Sequence, residues 1–344
     1  MFFETETLAG TIEFSGSSAD LDETSGNGPA AEATLFVPFS IAVTPSGTVY
    51  VTETLFNGIR KIENGVVSTL TSRKQGSTDG PLSEALFRGP TGIVSDQAGN
   101  LYVADQGNHR IRKIDTSGNV TTVAGPSGPE RLAGWADDLP NQSLFSRPRA
   151  IALDTPGRSL YVSEHDRIRN IPLGFMLGRS TIEVRTVAAV GMKGFADGPP
   201  LLAQFDQPAG IAVTQTGDLF VADARNARIR HVSPSGMVTT VAGDGVPAVA
   251  TDAAQFADRR PALQARFERP NGIAIDESGM VWVTDGSHVR MYHPRSSLVF
   301  TACSDKRTHQ KPVELGHVGG IALFGGKIFV VASGKVMVLT PHED

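Results

Sequence analysis

The sequence of 344 residues has a single cysteine, Cys303, few aromatic residues and no long run of apolar residues. One cysteine excludes an intramolecular disulfide framework and a cysteine-based zinc site. Cys303 ends the strand-like run LVFTAC, where a free cysteine is typically a buried, inert thiol. No apolar run reaches the roughly 18 residues of a membrane-spanning helix, and the first residues, MFFETETLAG, lack the basic and apolar regions of a signal peptide. These absences predict a soluble protein in the cytoplasm or otherwise inside the cell.

Excess positive charge is also absent. The formal net charge is -5 and the pI is near 5.9, so no global positive field attracts nucleic acid or anionic lipid. Hydrophobic residues make up 40% of the chain, whereas aromatic residues make up only 7%. The 37 glycines and 21 prolines are typical of many short strands joined by tight turns. The composition predicts an all-β protein.

The sequence is built from imperfect copies of one unit, seen most clearly over residues 87–125. Four strand-like runs, GIVSD, NLYVAD, RIRKI and VTTVA, are separated by Gly, Asn or Asp turns. Four short strands of this kind make one propeller blade. One isoleucine marks the first strand of each copy, and six copies predict six blades. The markers are Ile41, Ile93, Ile151, Ile211, Ile273 and Ile321.

We expect residues 1–344 to form one domain, with blades starting near residues 36, 87, 145, 205, 267 and 316. The last copy has only three strands, and we expect residues 1–10 to supply its missing outer strand, which would close the ring. Residues 15–33 are rich in Ser, Gly and acid and predict a flexible connector. The connectors that precede the first five blades each contain a stretch capable of one helical turn before a phenylalanine that fills the gap between blades. These phenylalanines are Phe36, Phe87, Phe145, Phe205 and Phe267.

Two fragments, VADQGNHRIR at residues 103–112 and VADARNARIR at residues 221–230, resemble the NHL repeat. The resemblance covers nearly the whole chain, although the Asn-His pair is complete only at Asn108 and His109. It implies a six-bladed β-propeller of four-stranded blades whose inner strands line a central channel. Propellers of this family include protein-interaction modules, RNA-binding modules, sensor domains and a zinc-dependent amidating lyase. The resemblance therefore predicts the fold and leaves the function open.

Acidic residues recur at the end of the second strand, and arginines recur on the third strand. In the sixth blade both are replaced together, by Ala332 and Met337, as expected of paired partners. We interpret them as structural ion pairs that fix the turn between these strands or join neighbouring blades. The pairs are Glu53 with Arg60, Asp105 with Arg112, Glu164 with Arg169, Asp223 with Arg230, and Asp285 with Arg290.

The positions just before the inner strands contain no carboxylate and no histidine. A calcium site needs several oxygen ligands, and only Asn271 offers one there. A zinc site needs several histidines, and only His317 lies near the axis. Neither a nucleophile elbow nor a phosphate-binding loop is present. The sequence predicts no catalytic residue, metal or cofactor, which favours a non-enzymatic protein without deciding the question.

Recognition is expected on the irregular connectors. Trp135 is either a binding residue or a side chain packed under its own loop. Acidic residues of the connectors, such as Asp79 and Asp137, mix with the arginines, which indicates a solvated rim or a protein partner. The candidate binding residues are Trp135, Arg147, Arg149, Asn271, Arg269 and Arg88.

We therefore predict a non-enzymatic scaffold that binds a protein or peptide on the connector-rich face, with no membrane role. One alternative is a metal-dependent lyase or hydrolase at the channel mouth. The other is an RNA-binding module, in which arginine planes and aromatic rings hold unstacked bases.

Overall fold

The computed structural model describes residues 2–11, 24–126, 132–174, 182–189, 191–249, 259–302 and 315–342. It is an all-β, six-bladed propeller, as the sequence predicts. Cys303 lies outside the described residues. Among the described residues, no helix has the length and apolar character of a membrane span.

Each blade is one antiparallel sheet, ordered from the inner strand outward. Blade 1 contains β3 (Pro38–Val43), β4 (Val49–Glu53), β5 (Gly58–Glu63), β6 (Val66–Thr69) and the short β2 (Gly28–Pro29). Blade 2 contains β8 (Pro90–Ser95), β9 (Leu101–Asp105), β10 (Arg110–Ile114), β11 (Asn119–Ala124) and the short β7 (Gly80–Pro81). Blade 3 contains β12 (Ile151–Leu153), β13 (Ser159–Ser163), β14 (Ile168–Pro172) and β15 (Arg185–Ala188).

The second half of the ring repeats this arrangement. Blade 4 contains β16 (Pro208–Val213), β17 (Leu219–Asp223), β18 (Arg228–Val232) and β19 (Val238–Ala242). Blade 5 contains β21 (Pro270–Ile275), β22 (Val281–Asp285), β23 (His288–His293), β24 (Leu298–Thr301) and the short β20 (Arg260–Pro261). Blade 6 contains β25 (Val318–Phe324), β26 (Lys327–Ala332), β27 (Lys335–His342) and β1 (Phe2–Ala9).

The N-terminal strand closes the ring, and this prediction is confirmed. β1 pairs antiparallel with β27 along its length, from Phe2 opposite His342 to Ala9 opposite Val336. Ala9 is fully buried, and Phe3 packs edge-on against Trp282 of blade 5 with ring centroids 5.8 Å apart. The chain ends are therefore part of one sheet, and β27 has no open edge.

The connectors do more than link the blades. In blades 1, 2 and 5 the preceding connector adds the short fifth strand to the outer edge, a feature absent from the predicted four-stranded blade. The predicted helical turn occurs in the blade 5 connector as a 3-10 helix, Ala262–Gln264, whereas the other described connectors contain turns. Residues 24–33 also differ from the predicted flexible segment, because β2 pairs with β6 and Ala33 is buried. Residues 15–23 lie outside the described residues.

Three further 3-10 helices form the turn between the second and third strands. Each is followed by a residue in the left-handed region, at φ 54°, 56° and 48°. The helices are Thr54–Phe56, Gln106–Asn108 and Ala224–Asn226.

The hydrophobic core lies between adjacent blades. Phe87 is fully buried in a cluster that joins Ala42 and Ile59 of blade 1 to the strands of blade 2, as predicted. Phe145, Phe205 and Phe267 occupy the same place at later junctions. In blade 1 the prediction is wrong by one residue, because Leu35 fills the gap and Phe36 instead packs against Phe56.

Candidate functional site

Five buried arginines lie within salt-bridge distance of the carboxylates predicted to pair with them. In all five pairs both side chains are fully buried. Their nitrogen to oxygen distances are 3.0 Å for Arg60 and Glu53, 2.9 Å for Arg112 and Asp105, 2.8 Å for Arg169 and Glu164, 2.7 Å for Arg230 and Asp223, and 3.5 Å for Arg290 and Asp285. Burial raises the pKa of Asp105, Glu164, Asp223 and Asp285, because desolvation outweighs the attraction of the arginine.

Blade 2 illustrates what such a pair holds in place. Arg112 donates to the carbonyl oxygens of Leu86 and Thr78 in the preceding connector, at 3.0 and 2.7 Å. Its guanidinium carbon stacks 4.9 Å from the ring centroid of Phe87. The Arg88 backbone N–H donates to the other Asp105 oxygen at 2.8 Å. The pair therefore fastens the connector to its own blade.

The family's signature asparagine belongs to the same network. Asn108 Nδ2 donates to Asp105 Oδ2 at 2.7 Å and to the Gly76 carbonyl oxygen at 2.6 Å. Asn226 makes the equivalent bonds in blade 4, to Asp223 and Gly194. His109 follows in the left-handed region, and its Nδ1 accepts the Arg147 backbone N–H at 3.1 Å. The signature turn is thus structural, and it also joins blade 2 to the next connector.

A second set of acidic residues, in the connectors, also pairs with the third-strand arginines, although the sequence analysis did not predict this. Asp79, Asp137 and Asp197 each form a salt bridge with the third-strand arginine of their blade. Their side chains are 43%, 44% and 43% exposed. In blade 1 Asn27 takes this place and accepts from Arg60 at 2.9 Å. These half-exposed acids are therefore each paired with the arginine of their own blade, a role that the sequence analysis did not assign to them. The three acids lie eight residues before Phe87, Phe145 and Phe205, as Asn27 does before Leu35, and this fixed spacing is a signal that could have identified them.

The mouth of the channel differs in composition from the ion-paired parts of the blades. The residues just before the inner strands alternate in size around the ring. Phe39, Arg149 and Asn271 in blades 1, 3 and 5 are large, and Thr91, Ala209 and Gly319 between them are small. Arg149 Nη2 donates to Asn271 Oδ1 at 3.1 Å, and its guanidinium carbon lies 5.7 Å from the Phe39 ring centroid. Three blades therefore meet at Arg149.

Arg149 is partly buried, and no carboxylate among the described residues forms a salt bridge with it. Burial, and then the charge of Arg269, lower its pKa to about 10. It therefore remains charged at neutral pH. Arg269 itself is exposed, and its backbone N–H donates to Asp285. The charge of Arg269 is thus near enough to act on Arg149, a proximity that sequence spacing could not reveal.

Backbone crowding around the mouth requires small residues at the next position along the inner strands. A Cβ at Gly92 would lie 2.7 Å from the Arg149 carbonyl oxygen of the neighbouring blade. Close approach of the backbones therefore explains the glycines there.

The channel beyond the mouth is lined by aliphatic side chains from all six inner strands, with Ser95 as a polar exception, around a cavity of about 250 Å³. Among the described residues, no group of three or more His, Cys, Asp or Glu side chains is placed to hold a metal ion.

The remaining candidates lie further out on the connector face. Trp135 is 55% exposed, and one face of its ring stacks 5.0 Å from the guanidinium carbon of Arg167. Phe195 is 45% exposed and packs on Arg228 in the same way. Arg147 is exposed, and Arg88 is partly buried beside Gly107. The structure joins Arg149 to Asn271 and brings Arg269 near them, and it records no contact between these residues and Trp135.

Comparison with known proteins identifies the class. The NHL repeat model matches residues 87–114 and 205–232, and the teneurin NHL domain model matches residues 238–317. The chain is therefore a six-bladed β-propeller that carries NHL repeats.

Among the similar proteins is the chloroplastic protein SUPPRESSOR OF QUENCHING 1 of Arabidopsis thaliana, 31% identical over 42% of this chain and 14% of that protein. Human teneurin-4 is 24% identical over 68% of this chain and 9% of its own length. The chain thus corresponds to a small part of these relatives.

Solved structures of low identity share the fold alone. A Bacteroides thetaiotaomicron protein of unknown function matches with a TM-score of 0.66 and 16% identity, covering 98% of this chain and 75% of that one. A gluconolactonase from Xanthomonas campestris matches with a TM-score of 0.58 and 12% identity, covering 98% of this chain and 89% of the other.

Proposed function

We propose that this propeller is a non-enzymatic interaction module that binds a protein or peptide on its connector-rich face. The observation that carries the proposal is the exposed indole of Trp135, stacked on the buried Arg167. Tryptophan and arginine are enriched among residues that dominate interface energies. The ordered cation under the ring also holds the indole in place before any partner arrives, which lowers the entropy lost on binding.

The fold does not require an aromatic residue at this position. Blade 2 has Ser77 where blade 3 has Trp135, and yet it keeps the same arginine network. Met192 is 67% exposed, and its neighbour Gly191 lies against Arg167, the arginine on which the indole stacks. An apolar patch bordered by arginine is the composition expected of a protein-binding surface.

The other predicted residues on this face, Arg88, Arg147, Arg149, Arg269 and Asn271, would contribute polar contacts around the patch. Arginines at an interface rim favour a partner with acidic groups and mainly increase the rate of association. The net charge of -5 makes a nucleic-acid backbone the less favourable partner.

Affinity purification with quantitative mass spectrometry tests the proposal. Proteins captured by the wild-type propeller should be depleted by at least about tenfold with Trp135→Ala, because loss of an interface hot spot weakens binding by 2 kcal/mol or more. Leu263→Ala is the matched control, since Leu263 is 59% exposed on the blade 5 connector. Capture that both variants preserve, or that both lose, would contradict the proposal. Capture abolished by nuclease and steeply weakened by salt would support the RNA-binding alternative instead.

A further inference from the structure

Arg149 differs from every other residue at its position in the ring. The five equivalent residues are uncharged: Phe39, Thr91, Ala209, Asn271 and Gly319. An arginine at the axis is therefore not needed to form an inner strand or to join two blades. The position is nonetheless fixed, because the Arg149 backbone N–H donates to the Ser163 carbonyl oxygen at 2.8 Å and its carbonyl oxygen accepts from Gly92 at 2.7 Å.

The charge of Arg149 is incompletely compensated. Each of the five arginines on the third strands contacts a buried carboxylate, whereas the acceptor of Arg149 among the described residues is the neutral amide oxygen of Asn271. Its neighbour Arg269 has the same sign. Removing a charge from water is unfavourable unless an opposite charge accompanies it. An external anion is the group that would complete this site.

The geometry leaves room for that anion. Asn271 and the Phe39 ring fix the guanidinium from two sides, and the alternate blades present Thr91, Ala209 and Gly319 rather than large side chains. The carboxylate of Glu268, the residue before Arg269, lies against Gly286 in the blade 5 turn and forms no salt bridge with Arg149. The planar guanidinium still has donors beyond the Nη2 bond, and its fork matches the two oxygens of a carboxylate or phosphate.

We propose that the mouth of the channel binds one oxyanion, a carboxylate or a phosphate group, which Arg149 and Arg269 contact while Asn271 orients the Arg149 guanidinium. This site lies on the face proposed to bind a protein, but it does not depend on Trp135, and its test needs no protein partner. Arg149 and Arg269 are the binding residues, and Asn271 is a positioning residue.

Isothermal titration calorimetry with the full chain tests the site, using inorganic phosphate in one series and succinate in another at constant ionic strength. Wild type should bind at least one of the two anions saturably with a stoichiometry of one. Arg149→Gln should weaken binding about tenfold or more, because a charge-assisted hydrogen bond is lost. Asn271→Ala should weaken it less, about threefold, because the arginine keeps its charge but loses its orientation.

Arg158→Gln is the control, since it removes the same charge from an exposed residue in the first turn of the same blade, on the opposite face. It should bind as wild type does. Melting curves of each variant establish that it is folded. Binding of phosphate alone or succinate alone would support the site and identify its preferred anion. No saturable binding of either anion by wild type, or equal weakening by Arg158→Gln, would overturn the proposal.

Discussion

The arginines of the blades and the arginine at the channel mouth show two uses of one side chain. Arg112 and its four counterparts each contact a buried carboxylate and at least one carbonyl oxygen of the adjoining connector. Arg149 is also held in place, but by an amide and an aromatic ring, and it lies beside a second cation. This difference is the basis of our proposal that the repeated arginines stabilise the ring whereas Arg149 binds a ligand.

Blade 6 provides an internal comparison, since it has Ala332 and Met337 where the other blades have the ion pair. In blade 6, Ala332 pairs with Lys335 and Val330 pairs with Met337. In blade 2 the equivalent pairs are Asp105 with Arg110 and Val103 with Arg112. Ala332 and Met337 therefore occupy the positions of Asp105 and Arg112. A blade of this propeller therefore folds without the pair. Its outer edge is covered by β1 instead of a connector.

The largest loss of stability should follow deletion of residues 1–10. Deletion exposes the edge of β27 and removes the buried side chains of Phe3 and Ala9 from blade 6, which has Ala332 and Met337 in place of the buried ion pair of the other blades. We expect a loss greater than that of any substitution below, measured as the melting temperature. Thr5→Ala, on the exposed side of β1, should change the free energy of unfolding by less than about 0.5 kcal/mol. An unchanged melting temperature after deletion would contradict closure by β1.

Arg112→Met should be the most destabilising of the substitutions. It leaves the fully buried Asp105 carboxylate without its cation, and breaking a buried ion pair costs about 3 to 5 kcal/mol. Urea denaturation measures the change. A loss below about 1 kcal/mol would indicate a solvated pair of the kind found on protein surfaces.

The double variant Asp105→Ala with Arg112→Met should recover about 2 kcal/mol relative to Arg112→Met alone. Replacing both members of a buried pair by apolar residues removes the unpaired charge, as blade 6 does naturally. The recovery is incomplete because the Leu86 and Thr78 carbonyl oxygens still lose their donor. A double variant less stable than the single one would refute the comparison with blade 6.

Asp79→Ala should have the smallest effect in this set, at most about 1 kcal/mol, because exposed ion pairs contribute little. Asp79 is 43% exposed, and Arg112 retains Asp105 when it is removed. The same denaturation experiment checks the value. A loss as large as that of Arg112→Met would mean that the outer acid, and not Asp105, compensates the arginine.

Much of the fold could be predicted from the sequence because repetition exposes its rules. The marker isoleucines predicted the number of blades. In blade 6 the acid and the arginine are both replaced, by Ala332 and Met337, and this joint replacement predicted that each acid pairs with an arginine. The fifth strands could not be predicted, because two residues such as Gly80 and Pro81 carry no strand pattern. The off-by-one assignment at Phe36 arose because Leu35 is apolar as well and fits the same gap.

The candidate site was harder to predict, since its members are far apart in the chain and do not repeat. Arg149 and Asn271 are 122 residues apart. Their contact depends on how three blades converge on the axis. The stacking of Trp135 on Arg167 depends on a connector path that the sequence pattern does not specify.

The central claim is that the blade arginines stabilise the fold whereas Arg149 does not. The most direct test compares the free energies of unfolding of Arg149→Met and Arg112→Met. The same substitution should destabilise blade 2 by several kcal/mol and change stability by less than about 0.5 kcal/mol at the mouth, where no ion pair is lost. Equal losses at the two positions would contradict the distinction, because Arg149 would then be a structural arginine like the other five.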